Sequence, residues 1–214
     1  MRAATVLLIG SLLFLSGCIQ QSQVPGTLDL TSGPLLDKLH HLYPDRFRMY
    51  HHVILTLRGK NYDFNGYLTR EGDHISAVGF NDLGGRLFDI NSSPQKVELP
   101  AKPRRMPATI LRNYVAPELN AVFAPTLQTR PSHGADDKIV LVDGRRNLEY
   151  DFDQALEHCD TITIREGNDT ITVIQLRNYM MYAGWDREIP QTIIVLNRRW
   201  NYQMTLRLLQ IKSP

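Results

Sequence analysis

Residues 47–68 read FRMYHHVILTLRGKNYDFNGYL, and the period of this stretch decides the fold class. Phe47, Met49, Val53, Leu55 and Leu57 fall on one face of an extended chain, with Tyr50, His52, Ile54 and Thr56 on the other. That repeat of two belongs to a strand. Gly59-Lys60-Asn61 then reads as a hairpin turn, beyond which Tyr62, Phe64, Gly66 and Leu68 alternate with Asn61, Asp63, Asn65 and Tyr67. Arg70-Glu71-Gly72-Asp73 reads as a second turn. HISAVGF, RLFDI and a short KVEL follow, so the segment is an antiparallel meander.

The same patterning resumes after residue 137 in KIVLVDG, RNLEYDF, CDTITIREGNDTITVIQL and QTIIVLNRRWNYQMTLRLLQI. Glu166-Gly167-Asn168-Asp169 and the stretch from Asn197 to Asn201 have the composition of hairpin connections. In the last strand Tyr202, Met204, Leu206 and Leu208 share a face; Thr205 and Arg207 lie on the other, continued by Leu209 and Ile211. About ten or eleven strands result by this pattern. Between the two halves, LPAKPRRMPATILRNYVAPELNAVFAP carries apolar residues at helical spacing (Ile110, Leu111, Val115, Leu119, Val122, Phe123). Two short helices are expected, over 107–115 and 117–124, separated at Pro117, which pushes the preceding residue out of the helical region. RPSHGADD, from Arg130, reads as a surface loop. A third helix is expected over PLLDKLHHLYPD, where Leu35, Leu36, Leu39 and Leu42 follow Gly33-Pro34 and precede Pro44.

A sheet this long with one apolar face must roll up or be capped. The expected fold class is therefore mainly β with a few short helices (α+β): a curved antiparallel incomplete barrel with a helical lid over its concave face. Such an arrangement encloses a hydrophobic cavity. Phe64, Leu68, Ile194, Met204 and Leu206 are its expected lining, with Met204 suited to variable acyl chains.

The N-terminus, MRAATVLLIGSLLFLSGCIQQ, carries Arg2, an apolar run from Ala3 to Leu15, and then Ser16-Gly17-Cys18. The run is short for a membrane span and fits a secretory signal peptide. Leu15-Ser16-Gly17-Cys18 resembles a bacterial lipobox, which implies removal of residues 1–17 and acylation (palmitate-type) of Cys18; the alternative is an ordinary signal peptide with an incidental cysteine. Ile19 stands where an aspartate would resemble an inner-membrane retention signal, so the expected destination is the periplasmic leaflet of the outer membrane. Residues 18–34 read as a lipidated tether broken by Pro and Gly, and 35–214 as the folded domain. With Cys18 acylated, Cys159 has no disulfide partner in the chain and is expected as a small buried residue.

A formal net charge of +2 with 21% charged residues gives no support for a nucleic-acid partner. No HExxH, CxxC or GxSxG occurs. His51 and His52 face opposite sides of a strand, as do His158 and Cys159, and His40-His41 lie on a short helix without a thiol at ligand spacing. His74 and Ser76 share a face, and Asp151 and Asp153 are paired carboxylates, yet neither pair comes with the partners of a catalytic site. The chain is therefore read as non-enzymatic, with no cofactor and no metal.

One short stretch, Phe80-Asn81-Asp82-Leu83-Gly84-Gly85, places a leucine at the crest of a turn where Asn, Asp and Gly normally suffice. This stretch, the element order, and YMMYAGWDREIPQTIIVL before a final strand resemble the LolA/LolB lipoprotein-carrier superfamily. The superfamily is an incomplete barrel with a helical lid, and its LolB-type receptor is itself a lipoprotein with a Pro-Leu-Gly turn. Asp82 here replaces that proline. The resemblance implies that Leu83 is an apolar tip in contact with cargo or membrane, and that lipid or lipoprotein acyl chains, received from a periplasmic carrier, are the partners. The chain is also similar to a family of uncharacterised proteobacterial lipoproteins, some encoded beside aryl-polyene-type lipid biosynthesis genes, which implies a lipid-linked cargo. Against the carrier stands an adaptor lipoprotein that holds a protein partner, whose mark is a filled interior with an exposed apolar patch.

Overall fold

The alternation from Arg46 onward produces one long hairpin, β1 (Arg46–Leu57) and β2 (Lys60–Glu71), of twelve residues each. Its turn is Arg58-Gly59, one residue earlier than expected, with φ of 51° and 75°. Positive φ at both central positions matches the right-handed twist of the flanking strands. The computed structural model describes residues 33–101, 103, 106–125, 130–132 and 137–212. Helix α1 (Gly33–His40) precedes the hairpin; β3 (His74–Phe80), β4 (Arg86–Ser92) and the two-residue β5 (Val97–Glu98) continue it. Then come α2 (Ala108–Ile110), a π-helical turn (Leu111–Val115) and α3 (Ala116–Phe123). The second half is β6 (Arg130–Ser132), β7 (Lys138–Asp143), β8 (Arg146–Phe152), β9 (Cys159–Glu166), β10 (Asp169–Met181), β11 (Glu188–Asn197) and β12 (Tyr202–Lys212).

All twelve strands form one antiparallel sheet in the order β5-β4-β3-β2-β1-β12-β11-β10-β9-β8-β7-β6. Each half is a meander, and the pairing of β1 with β12 joins the two. The sheet's edges are therefore β5 and β6, and the chain from one edge to the other carries the central helix. Both edges are short, three residues at most, and β6 contains Pro131, features that blunt edge-to-edge association. The concave face holds the core: Phe47, Met49, Val53 and Leu55 of β1 and Phe64 and Leu68 of β2 are each at most 3% exposed, and Tyr150 of β8 and Ile162 of β9 are fully covered.

Three expectations require correction. RPSHGADD is not wholly loop, since Arg130–Ser132 pair with Val140–Val142 as the edge strand. The two central helices are one continuous helix through Pro117. The amide of Ala116 bonds five residues back to Leu111 O, and this wide turn makes room for the proline ring. Proline leaves the carbonyl of Asn113 without its usual donor, and Arg146 Nη2 of β8 supplies one at 3.0 Å. In β12, a bulge opposite Tyr50/His51 pushes Leu209 out to 55% exposure. Ile211 then pairs with Met49 on the concave side rather than sharing a face with Arg207.

Candidate functional site

The helix formed by α2, the π turn and α3 lies against the concave face with its apolar side buried and Thr109, Arg112 and Asn113 exposed. Ile110, Leu111, Val115, Leu119, Val122 and Phe123 are each at most 7% exposed. Phe123 meets Tyr43 with ring centroids 4.8 Å apart and Phe47 at 6.0 Å, which ties the helix to the α1–β1 loop and to β1. It serves as a plug in an unclosed barrel. What holds it is partly polar: Tyr150 Oη donates to Ala121 O at 3.0 Å, and Asn120 Nδ2 donates to Ser92 Oγ at 2.9 Å.

The principal anchor is Glu118, 2% exposed. Its Oε1 accepts from Thr172 Oγ1 and Asn197 Nδ2, each at 2.9 Å, and its Oε2 accepts from Tyr202 Oη. One residue from each of β10, β11 and β12 thus clasps one side chain of the helix. Burial pushes the Glu118 carboxyl up to about 7, against the three hydrogen bonds that favour its charged form. The sequence reading passed Glu118 over. The available signal was an acidic residue in an apolar helical stretch, APELNAVF, with no lysine or arginine within it.

Two other polar residues on the concave side were missed although strand parity places them there. His51, in step with Met49 and Val53, is 6% exposed; burial lowers it to about 4, so it is neutral, and its Nδ1 has no partner among the described residues. Arg70, in step with Leu68, was expected in a turn. It ends β2 facing inward and donates to the carbonyls of Tyr43, Pro44 and Gly72, pinning the α1–β1 loop.

The concave face is covered, with Phe47, Leu68, Ile162 and Ile174 each at most 1% exposed. The apolar void bounded by Leu55, Tyr62, Phe64, Leu87, Phe88 and Met106 measures about 20 Å³, room for a single water. Along the seam of the barrel lies a cleft of about 350 Å³, and a more open groove of about 600 Å³ is lined by Thr69, His74, Ser76, Asn91 and Lys96 of β2–β5 and their loops. One wall of the cleft is the outer side of α3 (Asn120, Ala121), another the β7–β8 hairpin (Leu141, Leu148), and the third the β4–β5 loop (Ser93, Lys96). Of the expected lining residues, Phe64, Leu68, Met204 and Leu206 are at most 5% exposed on the concave face. Ile194 is not among them: it is half-buried and pairs with Thr205 and Gln175 on the convex face, while Ile193 and Val195 point inward. In QTIIVL both parities are apolar, so alternation alone assigns no side.

Leu83 is 95% exposed. The turn is made by its neighbours: Gly84 N donates to Asn81 O at 2.9 Å, Gly85 N donates to Asn81 Oδ1 at 2.7 Å, and Gly84 takes φ +76°. No bond of the turn uses the side chain at position 83, so folding does not account for a leucine there. Cys18 and the signal and tether segments lie outside the described residues. Cys159 is 1% exposed, its thiol pushed up by burial, and no hydrogen bond joins it to His158 among the described residues. His158 instead bridges Asp153 Oδ2 at 3.2 Å and Glu188 Oε2 at 2.8 Å, a strap between the β8–β9 loop and β11. His74 and Ser76 share a face of β3 with no bond between them among the described residues.

Residues 48–210 match the family model described as "Protein of unknown function (DUF3261)". No curated protein matches the sequence. Among solved structures, a LolA superfamily protein of Nitrosomonas europaea is similar with a TM-score of 0.60 at 12% identity, over 86% of this chain and 93% of that one. A proposed outer membrane lipoprotein-sorting protein domain of Vibrio parahaemolyticus has a TM-score of 0.50 at 8% identity, over 86% and 90%. A DUF1329 family protein of Desulfovibrio piger has 0.52 at 8%, over 84% and 90%. At such identities the likeness is one of fold: the incomplete barrel resembles that of the Nitrosomonas europaea LolA superfamily protein.

Proposed function

The chain belongs to the DUF3261 family, and from that premise, joined to its LolA-type fold, we propose that it binds a lipid or acylated cargo and passes it to a membrane. The observation that carries this reading is the way the barrel is closed. The concave apolar face is covered by helices instead of being closed by pairing of the sheet's edges: α1 contributes Leu35 and Leu39, the central helix lies on the chain between β5 and β6, and a 350 Å³ cleft remains along the seam. A sheet closed by pairing its edges opens only by breaking a ladder of backbone hydrogen bonds. A sheet closed by a helix opens when that helix moves, at the cost of a few side-chain bonds and apolar contacts.

In this mechanism an acyl chain enters at the seam and displaces α3, and Phe64, Leu68, Met204 and Leu206 then contact the chain instead of the helix. Exchange of one apolar cover for another keeps the cost of opening low, because apolar area leaves water in both states. Cys18 anchors the chain to the periplasmic leaflet of the outer membrane, residues 18–34 tether the domain, and a periplasmic carrier is the donor. Leu83 is the tip that enters acyl chains during transfer, where full burial of a leucine contributes roughly 1.5–3 kcal/mol.

A second reading, a non-enzymatic adaptor that holds a protein partner, is favoured by one observation: the concave face is tightly covered, with Phe47, Leu68, Ile162 and Ile174 each at most 1% exposed. Native mass spectrometry separates the two. The chain with Cys18→Ser is purified from its own periplasm without detergent. A lipid that travels with it in a fixed ratio and leaves on unfolding supports the carrier. An empty protein that also fails to bind added fatty acid refutes the carrier and leaves the adaptor.

A further inference from the structure

Three aromatic rings gather on the convex face, the side of the sheet away from the helix. Tyr50 and Tyr67 are direct cross-strand neighbours with ring centroids 4.9 Å apart. Phe80 lies 5.5 Å from Tyr67 and 6.2 Å from Tyr50, and leads directly into the turn that presents Leu83. Tyr67 is 55% exposed.

The β12 side of this cluster is cationic. Lys212 pairs across the ladder with Arg48, and Arg207 with His52, on the same face as Tyr50. Between them the bulge extrudes Leu209. Arg48, Arg207 and Lys212 are exposed and form no ion pair among the described residues. The nearby carboxylates are engaged elsewhere: Asp63 with His52, and Asp89 with Arg86 Nη1 at 2.8 Å. Glu71, opposite Arg46, stands at the Arg48 end of the hairpin and forms no ion pair among the described residues, so it offsets part of the charge there.

We infer that this convex face docks on an anionic bilayer surface. Tyrosine places a ring at the level of the headgroups with its phenol in water, and phenylalanine and leucine enter the acyl boundary. Unpaired arginine and lysine beside them meet anionic headgroups, an attraction that salt screens. The array spreads over β3, β2, β1 and β12 on the outward face of the sheet, and its mixture of apolar groups and exposed cations fits a membrane interface rather than a second protein's neutral patch. The inference does not depend on what occupies the seam cleft, and Cys18 is not needed for it.

The test is co-sedimentation of the full chain carrying Cys18→Ser with sucrose-loaded vesicles of phosphatidylcholine, with and without one third phosphatidylglycerol. The readout is the ratio of binding to the two compositions, compared between the parent and variants that all carry the same N-terminal run. The expected result is stronger binding to the anionic vesicles, weakened by added salt. A triple variant, Arg48→Glu, Arg207→Glu and Lys212→Glu, should lower that ratio at least tenfold, while Arg145→Glu in the β7–β8 turn leaves it unchanged. Tyr67→Ser, which alters no charge, should reduce binding severalfold and checks the aromatic part if the triple variant folds poorly. A ratio near one for the unaltered chain, or one that survives both the triple variant and Tyr67→Ser, overturns the inference and leaves the face to a protein partner.

Discussion

Glu118→Gln isolates the polar clasp of the plug helix with little change of volume. The glutamine Oε1 keeps the bonds from Thr172 and Asn197, and its amide nitrogen donates to the Tyr202 oxygen, reversing that bond. What the substitution removes is the charge. In the folded chain burial raises the carboxyl from 4.5 to about 7, so the folded state holds the proton more tightly than the unfolded one. The stabilisation from this group is therefore complete below pH about 4.5, and is lost as pH rises through about 7. At about 1.4 kcal/mol per pH unit, the swing is on the order of 3 kcal/mol. Urea or thermal denaturation of both proteins from pH 5 to 8 measures it. The glutamine variant should gain on the parent as pH rises and exceed it above pH 7, by several degrees in Tm at roughly 2–4 °C per kcal/mol. Because His51, lowered to about 4, titrates alike in both proteins, the difference between them reports Glu118 alone. If the helix must move for cargo to enter, the variant should also take up a fluorescent fatty acid more slowly than the parent at pH 8. Stability curves that run parallel across this range would refute the claim that the carboxyl is desolvated in the folded protein.

Leu83→Glu should leave stability within about 0.5 kcal/mol of the parent, since the side chain makes none of the turn's bonds, while delivery of bound acyl chains to vesicles falls; equal delivery rates would end the role given to that residue. Gly66→Ala should cost about 1–3 kcal/mol, because a Cβ there would stand 2.7 Å from His51 Nε2. In a His51→Ala background, denaturation should show that cost mostly gone, and an unchanged cost would place the clash elsewhere. Cys159, buried and with its thiol pushed up, should resist a thiol reagent in the folded Cys18→Ser chain and react fully in urea. Rapid reaction of the native protein would mean that the concave face opens far more readily than the packing implies.

The alternation over residues 47–68 and its recurrence after 137 were sufficient for the fold class, because a strand's two faces are a local property of period two. That period also placed Phe64, Leu68, Met204 and Leu206 on the buried side, and the Asn81–Gly85 turn was legible from its glycines. Ile194 was assigned to the wrong face because its strand is apolar on both parities, and only neighbouring strands decide which parity meets the helix. The break expected at Pro117 was absent for a similar reason. A proline's missing bond is a local fact, whereas the Arg146 that satisfies Asn113 O comes from a strand 33 residues later. The bulge that reverses Ile211 depends on how β12 meets β1, strands from opposite ends of the chain. Glu118 is the plainest case. Its partners at 172, 197 and 202 lie on three strands that no spacing in the sequence connects, and what they have in common is a position on one curved surface beneath the helix. Periodicity acts between neighbours along the chain and is read residue by residue; the clasp, the covered concave face and the seam cleft arise from contacts between distant segments, and these exist only once the sheet has curved around its helix.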